Sequence, residues 1–114
     1  MTSTEEVAEN FCIFNKISTE EMVATINGDV DAHVAPDLRE KALAEVVRDS
    51  LILRLVVDLA NAPFVDSSGL SVFIALHQEL ASRGGSIVIR NASQTTQKVL
   101  EITGLDQQFI VERS

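Results

Sequence analysis

The sequence predicts a single α/β domain, with helices packed on a mixed, mostly parallel sheet that opens with an N-terminal hairpin. Three observations lead to this class. Short segments of strand composition alternate with longer segments of helical periodicity, and one strand-like segment is apolar almost throughout. Such alternation produces parallel strands joined by right-handed crossovers. The length of 114 residues and the apolar content of 46% suit one domain with its own core.

The predicted hairpin comprises residues 11–16 and 22–27, two short runs rich in apolar and β-branched side chains. Residues 17–21 separate these runs and supply the turn. A break follows at Gly28-Asp29-Val30-Asp31, where glycine and aspartate disfavour a strand. The residues ahead of the hairpin, 1–10, are polar and acidic, and we expect them to form a flexible N-terminus.

A helix is predicted from about Pro36 to Arg48, followed by a buried strand. Pro36 suits the first helical turn, where its missing N–H costs little, and Leu, Ala and Val recur after it at helical spacing. Residues 53–59 then form a run of Leu and Val with almost no polar alternation. This pattern is typical of a strand buried on both faces, so we place it at the centre of the sheet.

The same alternation continues in the second half of the chain. Asp66 and Ser67 provide the chemistry of a helix start. The helix that they open runs to about Arg83, where Gly84-Gly85 supplies the expected stop. Residues 86–90 form the next strand.

A third helix and a short edge strand complete the predicted domain. The helix starts at Ser93 or Gln94 and ends at Gly104, and residues 109–111 form the strand. Because the sequence shows no internal repeat and no linker, we expect one domain that spans residues 11–112.

The charge balance of the chain is compatible with protein partners, although an acidic balance is also common among cytosolic domains. Acidic residues number 17 and basic residues 9, which gives a net charge of −8. Nucleic-acid binding requires a basic footprint, and an anionic membrane attracts basic segments, so neither partner is expected. The longest apolar stretch, residues 51–60, is interrupted by Arg54 and Asp58 and is too short to cross a bilayer. Because residues 1–10 also lack the regions of a signal peptide, we expect a cytoplasmic protein.

Three polar loops are expected to meet at one edge of the sheet. Residues 28–35, 60–67 and 91–95 each follow the carboxyl end of a predicted strand. Sites in open parallel sheets form beyond these ends. The first loop is rich in aspartate and the second ends in Asp66-Ser67-Ser68-Gly69, so this edge is the candidate functional surface.

The sequence disfavours an enzymatic function for this edge of the sheet. Ser67 does not lie in a G-x-S-x-G elbow. His77 lies about 15 Å further along the same helix, which is too far to serve as a base for Ser67. We therefore expect His77 to be a partly buried packing residue. His33 is closer in topology, but no neighbouring residue is placed to orient it.

The residue types also predict neither a metal nor a cofactor site. The histidines are far apart, and Cys12 is the only cysteine, so no ligand cluster forms. Asp29 and Asp31 are more typical of a solvated loop or helix start than of a cation site. The glycine-rich signatures that bind nucleotide phosphates are missing, because Gly84-Gly85 ends a helix rather than opening one. Cys12 lies in an apolar run and is expected to be a buried structural thiol.

The central helix carries one unexpected apolar residue. Val72 projects roughly opposite the main apolar face, among polar neighbours, so we expect it to be exposed. A single exposed valine is common on protein surfaces. Close to a serine at the helix start, it is also a candidate for a protein-docking surface. The main apolar face consists of Leu70, Phe73, Ile74, Leu76 and Leu80.

These segments together resemble a known family. Phe64-Val65-Asp66-Ser67-Ser68-Gly69-Leu70, preceded by Leu55-Val56-Val57-Asp58-Leu59, resembles the signature of the STAS domain (sulfate transporter and anti-sigma factor antagonist). Residues 27–31 resemble the turn of the family before its first helix, and residues 99–105 followed by Phe109 resemble its late helix and turn. The resemblance covers about residues 11–112 and implies the STAS fold, which agrees with the predicted order of elements.

The resemblance also implies a function and a phosphorylation site. In stand-alone antagonists of the family, the first serine after the aspartate is phosphorylated by an anti-sigma factor that is also a serine kinase; Ser67 occupies that position here. The unphosphorylated antagonist binds the anti-sigma factor and frees the sigma factor, and a PP2C-type phosphatase restores it. The expected partner-binding residues are Asp29, Asp31, Asp66, Ser67, Ser68, Gly69 and Val72.

Two alternatives remain open from the sequence. The chain is alternatively a constitutive STAS scaffold or transport-accessory module in which Ser67 is never modified. Ser67 is also favoured as a plain helix N-cap, a role that is compatible with phosphorylation. Ser68 is the rival phosphorylation site, with an ordinary place in the first helical turn.

Overall fold

The computed structural model describes residues 10–112, which form a five-stranded sheet and three α-helices. The expected flexible segment, residues 1–10, falls outside the described residues except for Asn10. A short 3₁₀ turn, Leu105–Gln107, precedes the last strand. The elements are β1 (Cys12–Lys16), β2 (Glu21–Asn27), α1 (Ala35–Arg48), β3 (Arg54–Asn61), α2 (Ser67–Ala81), β4 (Ser86–Arg90), α3 (Gln94–Thr103) and β5 (Ile110–Val111).

The sheet follows the order of the chain, β1-β2-β3-β4-β5. β1 and β2 form the expected antiparallel hairpin, and every later pair of neighbours is parallel. Each crossover from β2 onward moves to the next strand in the same direction. Right-handed crossovers therefore place α1, α2 and α3 on one face of the sheet. The predicted α/β class, with its mixed and mostly parallel sheet, is confirmed.

The two faces of the sheet differ in chemistry. The helix-covered face carries the apolar core, and within residues 10–112 the opposite face carries no helix. On that open face Val56 and Val88 are nevertheless fully buried at the sheet centre. Side chains on both faces of β3 are therefore buried, which explains the nearly continuous apolar sequence of this strand. The core residues contributed by β2, β3 and β4 to the helix-covered face include Met22, Ala24, Leu55, Val57, Ile87 and Ile89.

Long-range pairing extends β3 beyond the predicted end. Asn61 pairs with Asn27 of β2, and the Asn61 side-chain amide donates a 2.8 Å hydrogen bond to the side-chain oxygen Oδ1 of Asn27. This pairing carries the strand through the residues that precede Pro63. The local sequence around Asn61 predicts a turn, so the extra length is a tertiary effect.

The stop of α2 rests on two adjacent glycines with different roles. Gly84 has a left-handed φ of +83°, which glycine adopts without strain. Gly85 lies against β3, where a Cβ atom would come 2.3 Å from the Leu53 carbonyl oxygen. One glycine therefore turns the chain, and the other lets it pass close to the sheet.

Candidate functional site

The three predicted loops meet beyond the carboxyl ends of the parallel strands. The Val30 N–H donates to the Phe64 carbonyl at 2.9 Å, and the Asp66 N–H donates to the Val30 carbonyl at 3.0 Å. The third loop joins through the Ser93 hydroxyl, which donates to the Pro63 carbonyl at 3.0 Å. The backbone of the segment before α2 is thus held from both sides. The three loops therefore meet at one edge of the sheet, as predicted, and the start of α2 lies at that edge.

Asp66 caps helix α2. Its Oδ1 atom accepts hydrogen bonds from the Ser68 N–H at 2.8 Å and the Gly69 N–H at 3.2 Å. These are backbone donors that the first helical turn leaves without partners. Asp66 therefore has a structural role in addition to its place at the site. The interpretation of Ser67 as the N-cap is wrong, because the preceding carboxylate performs that task.

Ser67 is the first residue of α2 and is exposed. Its backbone carbonyl accepts a 3.1 Å hydrogen bond from the Ser71 hydroxyl, one turn later. Within the part of the chain that the structure describes, the Ser67 hydroxyl forms no hydrogen bond. Ser68, the rival position, is half-buried. Of these two adjacent hydroxyls, the one on Ser67 is the more accessible to a modifying enzyme.

Gly69 is buried and lets the start of α2 sit closely on the first two loops. A Cβ atom there would lie 2.7 Å from Val65 Cγ1 and 2.8 Å from Val30 Cγ1. These distances are shorter than van der Waals contact. Gly69 was predicted to bind a partner, and the structure gives it a packing role beneath that surface.

The prediction that Val72 is exposed is wrong. Its side chain is only 1% exposed, because α1 packs against this side of α2. α2 packs against both α1 and the sheet and therefore needs apolar residues on two sides, whereas the helical-face argument assumed one. Val72 forms part of the floor of a cleft between the two helices.

The two aspartates of the first loop have different environments. Asp31 Oδ1 accepts from the His33 N–H at 3.0 Å and from the Val34 N–H at 3.3 Å. Asp31 thereby organises the turn that leads into α1, which has no side-chain cap at its first residue. Asp29 is exposed. Both residues lie at the predicted edge, and Asp29 is the one whose side chain faces solvent.

Phe64 belongs to this surface and was not predicted to bind. Its side chain is 51% exposed, although it directly precedes the segment that carries Asp66 and Ser67. The hydrogen bond from Val30 to its carbonyl fixes its backbone. Exposed aromatic residues on rigid backbone are frequent anchors in protein interfaces. The available sequence signal was a large aromatic residue inside a loop bounded by Pro63 and Asp66.

His77 and Cys12 are both partly buried. The His77 ring packs against the Phe109 ring at 5.4 Å between centroids, and His77 Nδ1 accepts from the Ile87 N–H at 3.4 Å. The prediction of a partly buried packing histidine is confirmed. Burial, together with the charge of Glu45, raises the pKa of the Cys12 thiol to about 12, so the thiol stays protonated near neutral pH.

Within residues 10–112, the structure contains neither a metal-binding cluster nor a membrane-spanning helix. Among residues 10–112, no group of three or more His, Cys, Asp or Glu side chains is arranged to hold a metal ion. None of the helices in that range combines the length and apolar character that crossing a membrane requires.

Comparison with known proteins identifies relatives of the whole domain. The Bacillus subtilis anti-sigma-B factor antagonist is 32% identical over 90 residues, which cover 79% of this chain and 80% of that protein. An anti-sigma factor antagonist from Mycobacterium paratuberculosis superposes with a TM-score of 0.76 at 26% identity, covering 100% of this chain and 92% of the other.

The fold is also that of the anti-sigma factor antagonist SpoIIAA. The unphosphorylated form of SpoIIAA gives a TM-score of 0.76 at 21% identity, with 90% of this chain and 89% of that chain covered. The phosphorylated form, from Bacillus, gives 0.69 at 21% identity, with 90% and 92% covered. The STAS domain profile matches residues 14–114. This chain therefore belongs to the STAS domain family.

Proposed function

We propose that this chain is an anti-sigma factor antagonist that works in the cytoplasm as a non-enzymatic switch. Its unphosphorylated form binds an anti-sigma factor with serine kinase activity and thereby releases the sigma factor. Phosphorylation of Ser67 by that partner ends the interaction, and a PP2C-type phosphatase restores it. The relatives named as antagonists support this assignment. The observation that carries it is the exposed Ser67 hydroxyl, free of hydrogen bonds in the described structure, beside an aspartate that already caps the helix.

The binding surface in this proposal surrounds the start of α2. Ser67 lies at its centre, with Asp29 and Phe64 exposed nearby and Ser68 half-buried beside it. An aromatic anchor next to polar groups is a common composition for an interface core and its rim. Because hydrogen bonds from neighbouring loops fix the backbone here, little ordering entropy is lost when a partner binds.

Phosphorylation would act locally at this surface. A phosphoserine carries about −1.5 to −2 charges, and the N-terminus of a helix tolerates negative charge through its free N–H groups and dipole. The domain would therefore stay folded. The cost falls on the complex, because the phosphate beside Asp66 must be desolvated or accommodated by the partner.

A sigma-release assay tests the proposal. The complex between a sigma factor and the kinase-type anti-sigma factor encoded nearest to this chain's gene is titrated with wild type, Ser67→Glu or Gln78→Glu. Gln78 is an exposed residue later in α2 and controls for the added negative charge. We expect wild type and Gln78→Glu to release sigma factor, and Ser67→Glu to need about tenfold more protein, equivalent to about 1.4 kcal/mol.

Two outcomes would contradict the proposal. Equal release by wild type and Ser67→Glu would favour a constitutive scaffold that Ser67 does not control. No binding of wild type to the anti-sigma factor would remove the antagonist assignment for that partner.

A further inference from the structure

A cleft of about 370 Å³ lies between the starts of α1 and α2. Its floor is formed by Ala35 and Val72, both almost fully buried. Its rim includes Ser71, whose hydroxyl bonds to the Ser67 carbonyl, so the cleft opens one helical turn from Ser67. The volume is within the range of about 300–1,000 Å³ typical of ligand pockets.

The rim of this α1–α2 cleft is polar and carries one cation. Arg39 reaches it from α1, and the Ser68 side chain lines it from α2. Ala32 and Pro36 complete the rim with apolar surface. The cleft therefore has an aliphatic floor and a rim that carries hydroxyl groups and one guanidinium.

Arg39 differs from most cations of the domain because its charge is not compensated. Arg39 is exposed and, among the residues that the structure describes, forms no salt bridge; the same holds for Lys98 on α3. The remaining described cations each lie within 4.0 Å of a carboxylate. An unpaired arginine beside a prospective binding site, in a chain of net charge −8, is available to an anionic group of a partner.

We propose that the α1–α2 cleft receives an acidic segment of the anti-sigma factor, with a partner carboxylate on Arg39 and an adjacent aliphatic side chain over Val72. The inference rests on the proposed function and adds the chemistry of recognition to it. Charge complementarity at a rim selects the correct partner and accelerates association. A segment bound in this way would also contact Val72. Val72 would then belong to the interface as part of the cleft floor, and not as an exposed residue on the helix surface.

The test uses two charge reversals of the full chain, Arg39→Glu and Lys98→Glu. Both replace an exposed cation with a carboxylate and change the net charge equally, but only Arg39 lines the cleft. Affinity for the same anti-sigma factor is measured by calorimetry at low and high salt, without ATP. We expect Arg39→Glu to weaken binding by about tenfold at low salt, with a smaller loss at high salt, and Lys98→Glu to change it by less than about twofold.

A reciprocal experiment identifies the carboxylate. Single Asp and Glu residues of the anti-sigma factor are changed to Arg, and one of these changes is expected to restore binding of Arg39→Glu. Circular dichroism and urea unfolding of both variants verify that they are folded.

The outcomes separate this inference from the proposed function. Equal affinity of wild type and Arg39→Glu would overturn the acidic-segment inference while leaving the antagonist assignment intact. Equal weakening by Arg39→Glu and Lys98→Glu would show a general effect of net charge and would also overturn it. If wild type itself does not bind, the proposed function fails first, and the inference that depends on it fails with it.

Discussion

At the scale of single residues, two roles at the start of α2 belong to different side chains: Asp66 caps the helix, and Ser67 carries the accessible hydroxyl. The Asp66 carboxylate satisfies the backbone donors of Ser68 and Gly69. The Ser67 hydroxyl is exposed and takes no part in capping. A modification of Ser67 would therefore leave the hydrogen bonds that start the helix in place. The proposed switch at Ser67 would therefore act at the helix terminus without unfolding it.

Replacing Asp66 by alanine should measure the value of this cap. We expect Asp66→Ala to lower the free energy of unfolding by about 0.5–2 kcal/mol, because two backbone N–H groups lose their acceptor. Asp66→Asn retains a side-chain oxygen and should lose less. Urea unfolding of the three proteins tests this order. Equal stability of all three would show that water replaces the carboxylate without cost.

Gly69 allows a prediction whose sign opposes helix propensity. Propensity alone makes alanine more stable than glycine in a helix by about 1 kcal/mol. At Gly69, however, the new methyl group would collide with Val30 and Val65. We expect Gly69→Ala to destabilise the domain by about 1–3 kcal/mol, as overpacking does, and thermal unfolding measures the effect.

A double mutant provides the control for this collision. Val65→Ala removes one of the two methyl groups that the new Cβ would meet. The combined cost of Gly69→Ala and Val65→Ala should therefore be smaller than the sum of the single costs. Strict additivity, or a stabilised Gly69→Ala, would contradict the assignment of Gly69 as a close-packing residue.

At the scale of elements, Arg83 joins the end of α2 to the end of α1. Its guanidinium donates to the carbonyls of Val46 at 3.1 Å, Asp49 at 3.0 Å and Ile52 at 3.3 Å. It also forms a 3.1 Å ion pair with Glu79. The side chain is only 16% exposed. Arg83 thus satisfies one carbonyl in the last turn of α1 and two in the loop that enters β3.

Removal of this guanidinium should be costly. We expect Arg83→Ala to lower the free energy of unfolding by about 2–3 kcal/mol, because half-buried carbonyls lose a charged donor. The matched control is Arg48→Ala. Arg48 is 70% exposed and, among residues 10–112, forms its one ion pair with Glu45 on the same helix, so its removal should cost less than about 0.5 kcal/mol. Chemical denaturation compares the two, and similar losses would contradict the role given to Arg83.

Elements with local signals were predictable from the sequence, whereas contacts between elements were not. The hairpin, the stop at Gly84-Gly85 and the strand at residues 86–90 depend on neighbouring residues, and the structure has them as predicted. The burial of Val72 depends on where α1 docks. The extension of β3 to Asn61 likewise depends on Asn27, which is distant along the chain.

The same distinction applies to the candidate site. The meeting of three loops followed from the alternation of strands and helices, because that alternation fixes which strand ends share an edge. The exposed aromatic surface of Phe64 did not follow, nor did the position of Arg39 on the cleft rim, where it has no salt bridge among residues 10–112. Both require knowledge of which side chains remain uncovered after the helices pack.

At the scale of the whole molecule, the helix-free face of the described sheet carries a network of ion pairs. Arg90 bonds to Glu112 at 2.8 Å, and Arg54 lies 3.5 Å from the same carboxylate. Arg54 also approaches Glu21 at 3.8 Å. The aliphatic stems of such arginines cover apolar surface while their charged ends stay in water. This arrangement fits the burial of Val56 and Val88 on a face to which residues 10–112 contribute no helix.

The network predicts a pH-dependent contribution to stability. The hydrogen bond from Arg90 holds the pKa of Glu112 below its usual range. A lowered folded-state pKa stabilises the protein above the unfolded-state pKa, and this stabilisation is lost as pH falls through the folded-state value. We expect Arg90→Gln to reduce stability at about pH 7 by less than about 1 kcal/mol, and to have no effect once Glu112 is protonated in both states.

Urea unfolding of wild type and Arg90→Gln between neutral and strongly acidic pH measures this difference. Lys98→Gln is the control, since Lys98 has no salt bridge among residues 10–112. A stability difference that stays constant as Glu112 titrates would show that Arg90 acts through packing and not through its ion pair.

The central claim, a phosphorylation switch at Ser67, is tested most directly by intact-mass spectrometry. The wild type, Ser67→Ala and Ser68→Ala are each mixed with Mg-ATP and the kinase-type anti-sigma factor encoded nearest to the chain's gene. We predict one added phosphate on wild type and Ser68→Ala, and none on Ser67→Ala. Phosphate on Ser67→Ala would assign the modification to another residue. Unmodified wild type in a stable complex with the kinase would contradict the switch and leave an unmodified binding module.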